Sequence, residues 1–115
     1  LAKDAAIAFK WYKRAADAND PRGLASAGFY LVKGLGVQQN GVHGIALVFH
    51  AAATGSNYAA YALGEWYDKG AHGLPQDQAK AAYWYERVAS AELGHLEDDA
   101  IEHAAERVRE LRGSS

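Results

Sequence analysis

The chain has no cysteine and no methionine, only two prolines, and a net charge of −2 over 115 residues. Without cysteine there are no disulfides and no thiolate metal sites, and the sequence holds no marker of redox compartment. No apolar run approaches the roughly 20 residues that a membrane-spanning helix needs, so no membrane insertion is expected. No charged start followed by an apolar stretch marks a secretory leader. The near-neutral balance makes no basic patch of the kind that nucleic-acid binding requires, and no nucleic-acid partner is expected. What charge there is lies unevenly. Residues 1–33 carry six Lys/Arg against three Asp/Glu, and residues 92–115 carry seven acids against three Arg.

Half of the residues are apolar, with alanine heavily used. That suits close helix–helix packing and argues against disorder, which needs low hydrophobicity and high net charge. An aromatic-then-alanine signature recurs three times: Trp11-Tyr12 with Ala15-Ala16, Val48-Phe49 with Ala52-Ala53, and Trp84-Tyr85 with Val88-Ala89, at spacings of 37 and 36. Gly28 and Gly64 lie 36 apart, as do Gly34 and Gly70. Self-similarity at a period of 20 to 50 residues is the mark of a solenoid. A solenoid stacks supersecondary units instead of enclosing a pocket, which moves function onto an extended surface.

Turn signals predict six helices, over about 4–18, 21–33, 41–54, 57–69, 77–92 and 97–112. Asp20 can cap the second helix with Pro21 in its first position, and Asp77 is placed to cap the fifth. Leu93-Gly94 breaks the chain before the last helix, whose opening acids Glu97, Asp98 and Asp99 suit a helix N-terminus. Ala60, Leu63, Gly64 and Tyr67 fall at i, i+3, i+4 and i+7, and Leu24, Ala27, Gly28 and Leu31 repeat that stripe 36 residues earlier. Glycine at the centre of a buried stripe costs about 1 kcal/mol against alanine, so Gly28 and Gly64 predict a close approach of the neighbouring helix backbone. No alternating apolar pattern points to strands. The last helix is amphipathic through Ile101, Ala104, Ala105, Val108 and Leu111, as a solubilising cap requires.

The stretch Leu63-Gly64-Glu65-Trp66-Tyr67-Asp68-Lys69-Gly70, followed by Asp77-Gln78-Ala79-Lys80-Ala81-Ala82-Tyr83-Trp84-Tyr85, resembles the Sel-one-like repeat, a relative of the tetratricopeptide repeat. The resemblance divides a single repeat domain, 1–115, into the second helix of a truncated repeat (4–20), a divergent repeat (21–56), a close match (57–96), a capping helix (97–112) and a tail (113–115). Departures are concentrated in the middle copy, with Val48-Phe49 in place of Trp-Tyr, Leu31 in place of Tyr67, and one residue inserted at His43-Gly44. Leu1 is not a start residue and falls inside a repeat, which predicts further sequence upstream. The resemblance implies an all-α, α/α solenoid, a right-handed superhelix of antiparallel helix pairs that acts as a non-catalytic protein-interaction scaffold.

In helix-pair solenoids the first helices line the concave surface. On the second helix the face opposite the buried stripe runs through Arg22, Ala25, Phe29, Val32 and Lys33; one repeat later it runs through Tyr58, Tyr61, Glu65, Asp68 and Lys69. Phe29 stands where Glu65 stands, and Val32 where Asp68 does. Apolar residues where the matching copy is polar make a candidate docking patch for a protein or peptide, unless Phe29 and Val32 pack against a neighbouring repeat or the N-terminal helix, and Tyr58 and Tyr61 are of a type that concentrates at interface hot spots. Arg22, Phe29, Val32, Lys33, Tyr58, Tyr61, Glu65 and Lys69 are the candidate partner-binding residues. Trp11, Tyr12, Trp84 and Tyr85, at repeat-equivalent positions, are expected to pack in the core. Asp99 and His103 share a helix face, but zinc needs three or four ligands and no His-x-x-x-His occurs, so no metal and no cofactor are expected. Gly34-Leu35-Gly36 follows a helix instead of a strand and reads as a turn, not a phosphate loop. No nucleophile motif is present and no enzyme is expected. Two other readings stand beside the scaffold: a spacer that self-associates through its incomplete N-terminal repeat, and a hydrolase, which no residue here supports.

Overall fold

A computed structural model describes residues 2–90 and 98–113. Among them six helices and no strand form: α1 (Ala2–Asp17), α2 (Pro21–Lys33), α3 (Gly41–Ala53), α4 (Asn57–Lys69), α5 (Gln78–Ala89) and α6 (Asp98–Gly113). The second and fourth begin and end at the expected residues. The fifth stops at Ala89, with Ser90 as its C-cap, and the expected break at Leu93-Gly94, with His95 and Glu97, lies outside the described residues. The backbone contacts divide the chain into two compact units, 1–56 and 57–115.

Two connections of the same design follow α2 in the first unit and α4 in the second. Gly34 ends α2 at φ 71, a left-handed conformation that costs glycine nothing, and donates its N–H to the Tyr30 carbonyl. The Gln39 amide then donates to the Val32 carbonyl at 2.8 Å, and the Asn40 N–H to the Leu31 carbonyl at 2.8 Å. Asn40 caps α3 by accepting the His43 N–H at 3.1 Å. In the second unit Gly70 takes φ 69. Gln76 donates to the Asp68 carbonyl at 2.9 Å, the Asp77 N–H to the Tyr67 carbonyl at 2.9 Å, and Asp77 accepts the Lys80 N–H at 3.0 Å. These side chains return carbonyls orphaned at the helix end to the hydrogen-bonded state and start the next helix at a fixed angle. The second connection is one residue longer, and His72, at φ 55, lies within it.

The two helix pairs are spaced by different side chains. In the first unit α2 and α3 touch backbone to backbone. A methyl at Gly28 would fall 2.7 Å from the Gly44 carbonyl oxygen, and one at Gly44 would fall 2.6 Å from that of Gly28. In the second unit Gly64 instead faces the ring of Tyr85, at 2.8 Å from where its Cβ would stand. Both glycines have the packing reason that the stripe predicts, but only Gly28 meets a neighbouring backbone. A shorter Val48 lies where Tyr85 lies, which lets α3 come closer.

That correspondence corrects the register of the middle copy. Val48 matches Tyr85, and the buried Gly44, Val48 and Ala51 of α3 match the buried Ala81, Tyr85 and Val88 of α5, all at a spacing of 37. Leu47-Val48, not Val48-Phe49, therefore occupies the Trp-Tyr position. The extra residue in the later loop is not compensated by an insertion at His43-Gly44, because one residue inserted inside a helix would rotate everything after it by about 100° and turn the stripe outward. Around α1, a methyl at Gly23 would run into the Ala15 side chain, and the Tyr12 and Tyr30 rings meet edge-on at 5.3 Å.

Candidate functional site

In the second unit the outward face of α4 carries Tyr58, Tyr61, Glu65, Asp68 and Lys69, brought together by the helical period. Lys69 and Glu65 approach to 3.9 Å, an exposed pair of small energetic weight. Tyr58 is 57% exposed, whereas Tyr61 and Glu65 are half-buried. Tyr61 and Asp68 are engaged by α6. The Tyr61 hydroxyl is 2.7 Å from Nδ1 of His103 on α6. Arg107, one turn further on, donates to both oxygens of Asp68 at 2.8 and 2.7 Å, a bidentate pair. The Tyr85 hydroxyl donates to the same carboxylate at 3.1 Å, so α4, α5 and α6 meet at Asp68. Arg107 also reaches Glu110 at 2.6 Å, and Arg112 pairs with Glu86 of α5.

The ionisation of this cluster follows from its burial. Tyr85 is fully buried, and its phenol pKa is driven well up, first by loss of solvent and then by the Asp68 carboxylate beside it. Tyr61 shifts the same way, through burial and then Glu65. Both phenols thus stay neutral, Tyr61 paired with the His103 ring and Tyr85 donating to Asp68. Hydrogen bonding to Asp68 holds the Arg107 guanidinium charged beyond its ordinary range.

Among the candidate residues of the first unit, Val32 is placed differently from expectation. Arg22 and Lys33 are exposed, with Arg22 3.8 Å from Asp20. Phe29 is half-buried. Val32 is 2% exposed and is not a docking residue: its Cγ2 lies 2.7 Å from where a Gly44 methyl would stand, so it fills the gap that the missing side chain leaves on α3. Ala25, on the same expected face, is buried as well. Trp11 departs in the other direction. It is 62% exposed, with the Arg14 guanidinium 5.2 Å from its ring, instead of packing in the core. Tyr85 packs as expected, while Tyr12 and Trp84 are half-buried. Among the described residues no group of three His, Cys, Asp or Glu side chains comes together to hold a metal. His103 bonds to Tyr61, and the Asp99 side chain lies outside the described set. No described helix is long and apolar enough to cross a membrane.

Sequence reasoning missed Arg107 as the partner of Asp68, 39 residues away, and Tyr85 as a second donor to the same carboxylate. The signal that could have found them was Asp68 itself, an acid at the matching position of the apolar Val32.

The fold defines an all-α repeat protein, built from helix pairs joined by matching loops, with aromatic and charged side chains presented along helix faces. The Sel1 repeat profile matches residues 1–20 and 57–95, just over half of the chain, and the chain belongs to the Sel1 repeat family. Among solved structures it is similar to the crystal structure of a Sel1 repeat protein from Oxalobacter formigenes, at 31% identity and a TM-score of 0.69 over 91% of this chain. It spans 36% of the length of that protein's chain. No match is found among curated proteins. Sel1 repeats are typically non-catalytic scaffolds for protein interaction.

Proposed function

We propose that the chain is a non-catalytic module that binds a protein or peptide through the outward faces of its first helices, each within its own unit. The observation that carries this reading is the exposed Tyr58 on α4, set beside Tyr61, Glu65 and Lys69 in a family that binds proteins. An amphipathic tyrosine contributes large contact area with few rotatable bonds, which is why it recurs at interface hot spots. A helix or extended segment docked along α4 would take Tyr58 as its anchor, with Glu65 and Lys69 at the rim. On α2 the corresponding contributions come from Arg22, Phe29 and Lys33, without Val32. The concave-surface docking implied by the family resemblance belongs to the same proposal.

The test is affinity capture with the wild-type chain, Tyr58→Ala and, as a surface control in the first unit, Asp17→Ala. A protein retained by the wild type and the control, and weakened at least about tenfold by Tyr58→Ala, supports the reading. Equal retention by all three, with unchanged circular dichroism, rejects it for α4.

A further inference from the structure

We infer that Asn40-Gly41 is a site of spontaneous deamidation, held in check by the cap that Asn40 makes on α3. The inference goes beyond the partner-binding reading and is independent of it.

The chain contains three asparagines, Asn19, Asn40 and Asn57, and only Asn40 is followed by glycine. Deamidation starts when the main-chain nitrogen of the next residue attacks the side-chain carbonyl carbon, so a side chain on that residue obstructs it. Gly41 has none, and a methyl there would meet nothing within 4 Å. Asn40 itself is exposed to water. The Gly41 nitrogen gives up its proton and bonds to Asn40 Cγ, the Cγ–Nδ2 bond breaks, and the amide leaves as ammonia with that proton. A succinimide ring remains, and water opens it. Cleavage of the new Cγ–N bond makes the position an aspartate. Cleavage of the original main-chain bond instead routes the chain through Cγ, as isoaspartate. Either way one water is consumed, one ammonia is released and one negative charge is gained.

The folded backbone opposes the first step. The ring closes only with the Gly41 nitrogen turned onto the side-chain side of the Asn40 Cα, at a strongly negative ψ. Asn40 instead holds ψ 88, and its Oδ1 accepts the His43 N–H at 3.1 Å. Its carbonyl accepts the Gly44 N–H at 2.9 Å, closing the first turn of α3, and its N–H donates to the Leu31 carbonyl at 2.8 Å. Rotating ψ into the reactive range breaks the cap and that first turn together. Reaction therefore passes through the opened end of α3, and a helix end opens at lower cost than a whole unit.

The second unit shows what an aspartate does at this place. Asp77 stands where Asn40 stands, 37 residues on, with φ −151 and ψ 102 against φ −149 and ψ 88. It accepts the Lys80 N–H at 3.0 Å, and its own N–H donates to the Tyr67 carbonyl at 2.9 Å. An aspartate at position 40 thus keeps the bonds of the cap and adds a negative charge at a helix N-terminus, where it is favourable. Isoaspartate inserts a methylene into the main chain and moves the acceptor away from the His43 N–H. The start of α3 then loses its cap, one turn before Gly44 meets the Gly28 backbone. One reaction gives a product that holds the α2–α3 pair and another that loosens it.

Incubation at mildly alkaline pH, followed by digestion and mass spectrometry, tests this on the folded chain, the chain unfolded in urea, and Gly41→Ala. Electron-transfer fragmentation distinguishes isoaspartate from aspartate. The folded wild type is expected to deamidate at Asn40 roughly ten- to a hundredfold more slowly than the unfolded chain, as opening of a helix end requires. Asn19 and Asn57 stay intact over the same period. Gly41→Ala keeps the wild-type circular dichroism and reacts at least about tenfold more slowly than the wild type in either state, because its methyl crowds the attacking nitrogen. Asn40→Asp melts no lower than the wild type, and the isoaspartate form, separated by chromatography, melts lower. Equal rates in the folded and unfolded wild type overturn the inference, since the cap would then restrain nothing. So does an Asn40 that stays intact in the folded chain beyond that range, or a Gly41→Ala chain that reacts as fast as the wild type. An Asn40→Asp chain that melts below the wild type overturns the equivalence with Asp77.

Discussion

Asp68 shows how much one side chain decides. Its carboxylate is 13% exposed and Arg107 is 25% exposed, so the pair loses most of its hydration and recovers it through two direct bonds plus the Tyr85 hydroxyl. Removing one partner leaves the other buried without compensation, which costs more than the pair contributes. Asp68→Ala is expected to lower stability by about 2–3 kcal/mol in urea unfolding. Asp17→Ala, which breaks the exposed pair with Lys13, should cost under about 0.5 kcal/mol. Tyr85 adds a pH dependence. Folded Tyr85 keeps its proton above pH 10, the ordinary phenol value, where the unfolded phenol releases it. The stability that depends on this proton is present below pH 10 and is lost as pH rises past it, at up to about 1.4 kcal/mol per pH unit. Tyr85→Phe should lose about 1 kcal/mol at neutral pH and fall less steeply above pH 10. Parallel slopes for the two proteins between pH 10 and 11 would show that this phenol is not coupled to folding.

At the scale of the helix, the glycines separate backbone contact from side-chain contact. Gly28→Ala gains about 1 kcal/mol of helix propensity but drives a methyl into the Gly44 carbonyl, which cannot retreat without moving α3. A net loss of about 2 kcal/mol is expected, shown as a lower thermal midpoint. Gly64→Ala meets the buried Tyr85 ring, a side chain instead of a backbone carbonyl, and should cost about half as much. At Gly41 a methyl would meet nothing within 4 Å, so Gly41→Ala should be neutral or stabilise by about 0.5 kcal/mol. Equal losses at Gly28 and Gly64 would contradict the distinction drawn between the two pairs.

The six helices, the Asp20 and Asp77 caps and the close backbone crossing at Gly28 were legible in the sequence because period, capping residues and glycines act locally. The middle copy's register was not, since a residue gained in a loop and one gained in a helix change the spacing alike, and only the helix change rotates the stripe. Gly44 was the overlooked sign: a glycine inside α3 marks a side chain filling its space from across the crossing, and that side chain is Val32. On the candidate site, Tyr58 could be read as exposed from its position on the helix. The engagement of Tyr61 and Asp68 by His103 and Arg107 could not, because pairing across about 40 residues leaves no periodic trace.

For the molecule as a whole, the interactions described for Gly28 and for Asp68 each close within one unit, 1–56 or 57–115. Repeat arrays of this kind distribute stability over neighbouring elements instead of one shared core. Loss of a contact should therefore be read locally before it is read globally. Hydrogen exchange followed by mass spectrometry makes the comparison directly. Asp68→Ala is expected to speed exchange in α4, α5 and α6 by at least about tenfold, as a loss above 1.4 kcal/mol requires, with α2 and α3 changed by no more than about twofold. Gly28→Ala should give the mirror image, with faster exchange in α2 and α3 and near-constant protection in α4 and α5. Each variant serves as the other's control, since both lower stability by similar amounts from different units. If both variants raise exchange evenly from α2 to α6, the chain opens as one cooperative body and the two contact clusters are not units of stability. If each effect stays within its own unit, mutations on α4 can be read against partner binding without disturbing α1 and α2.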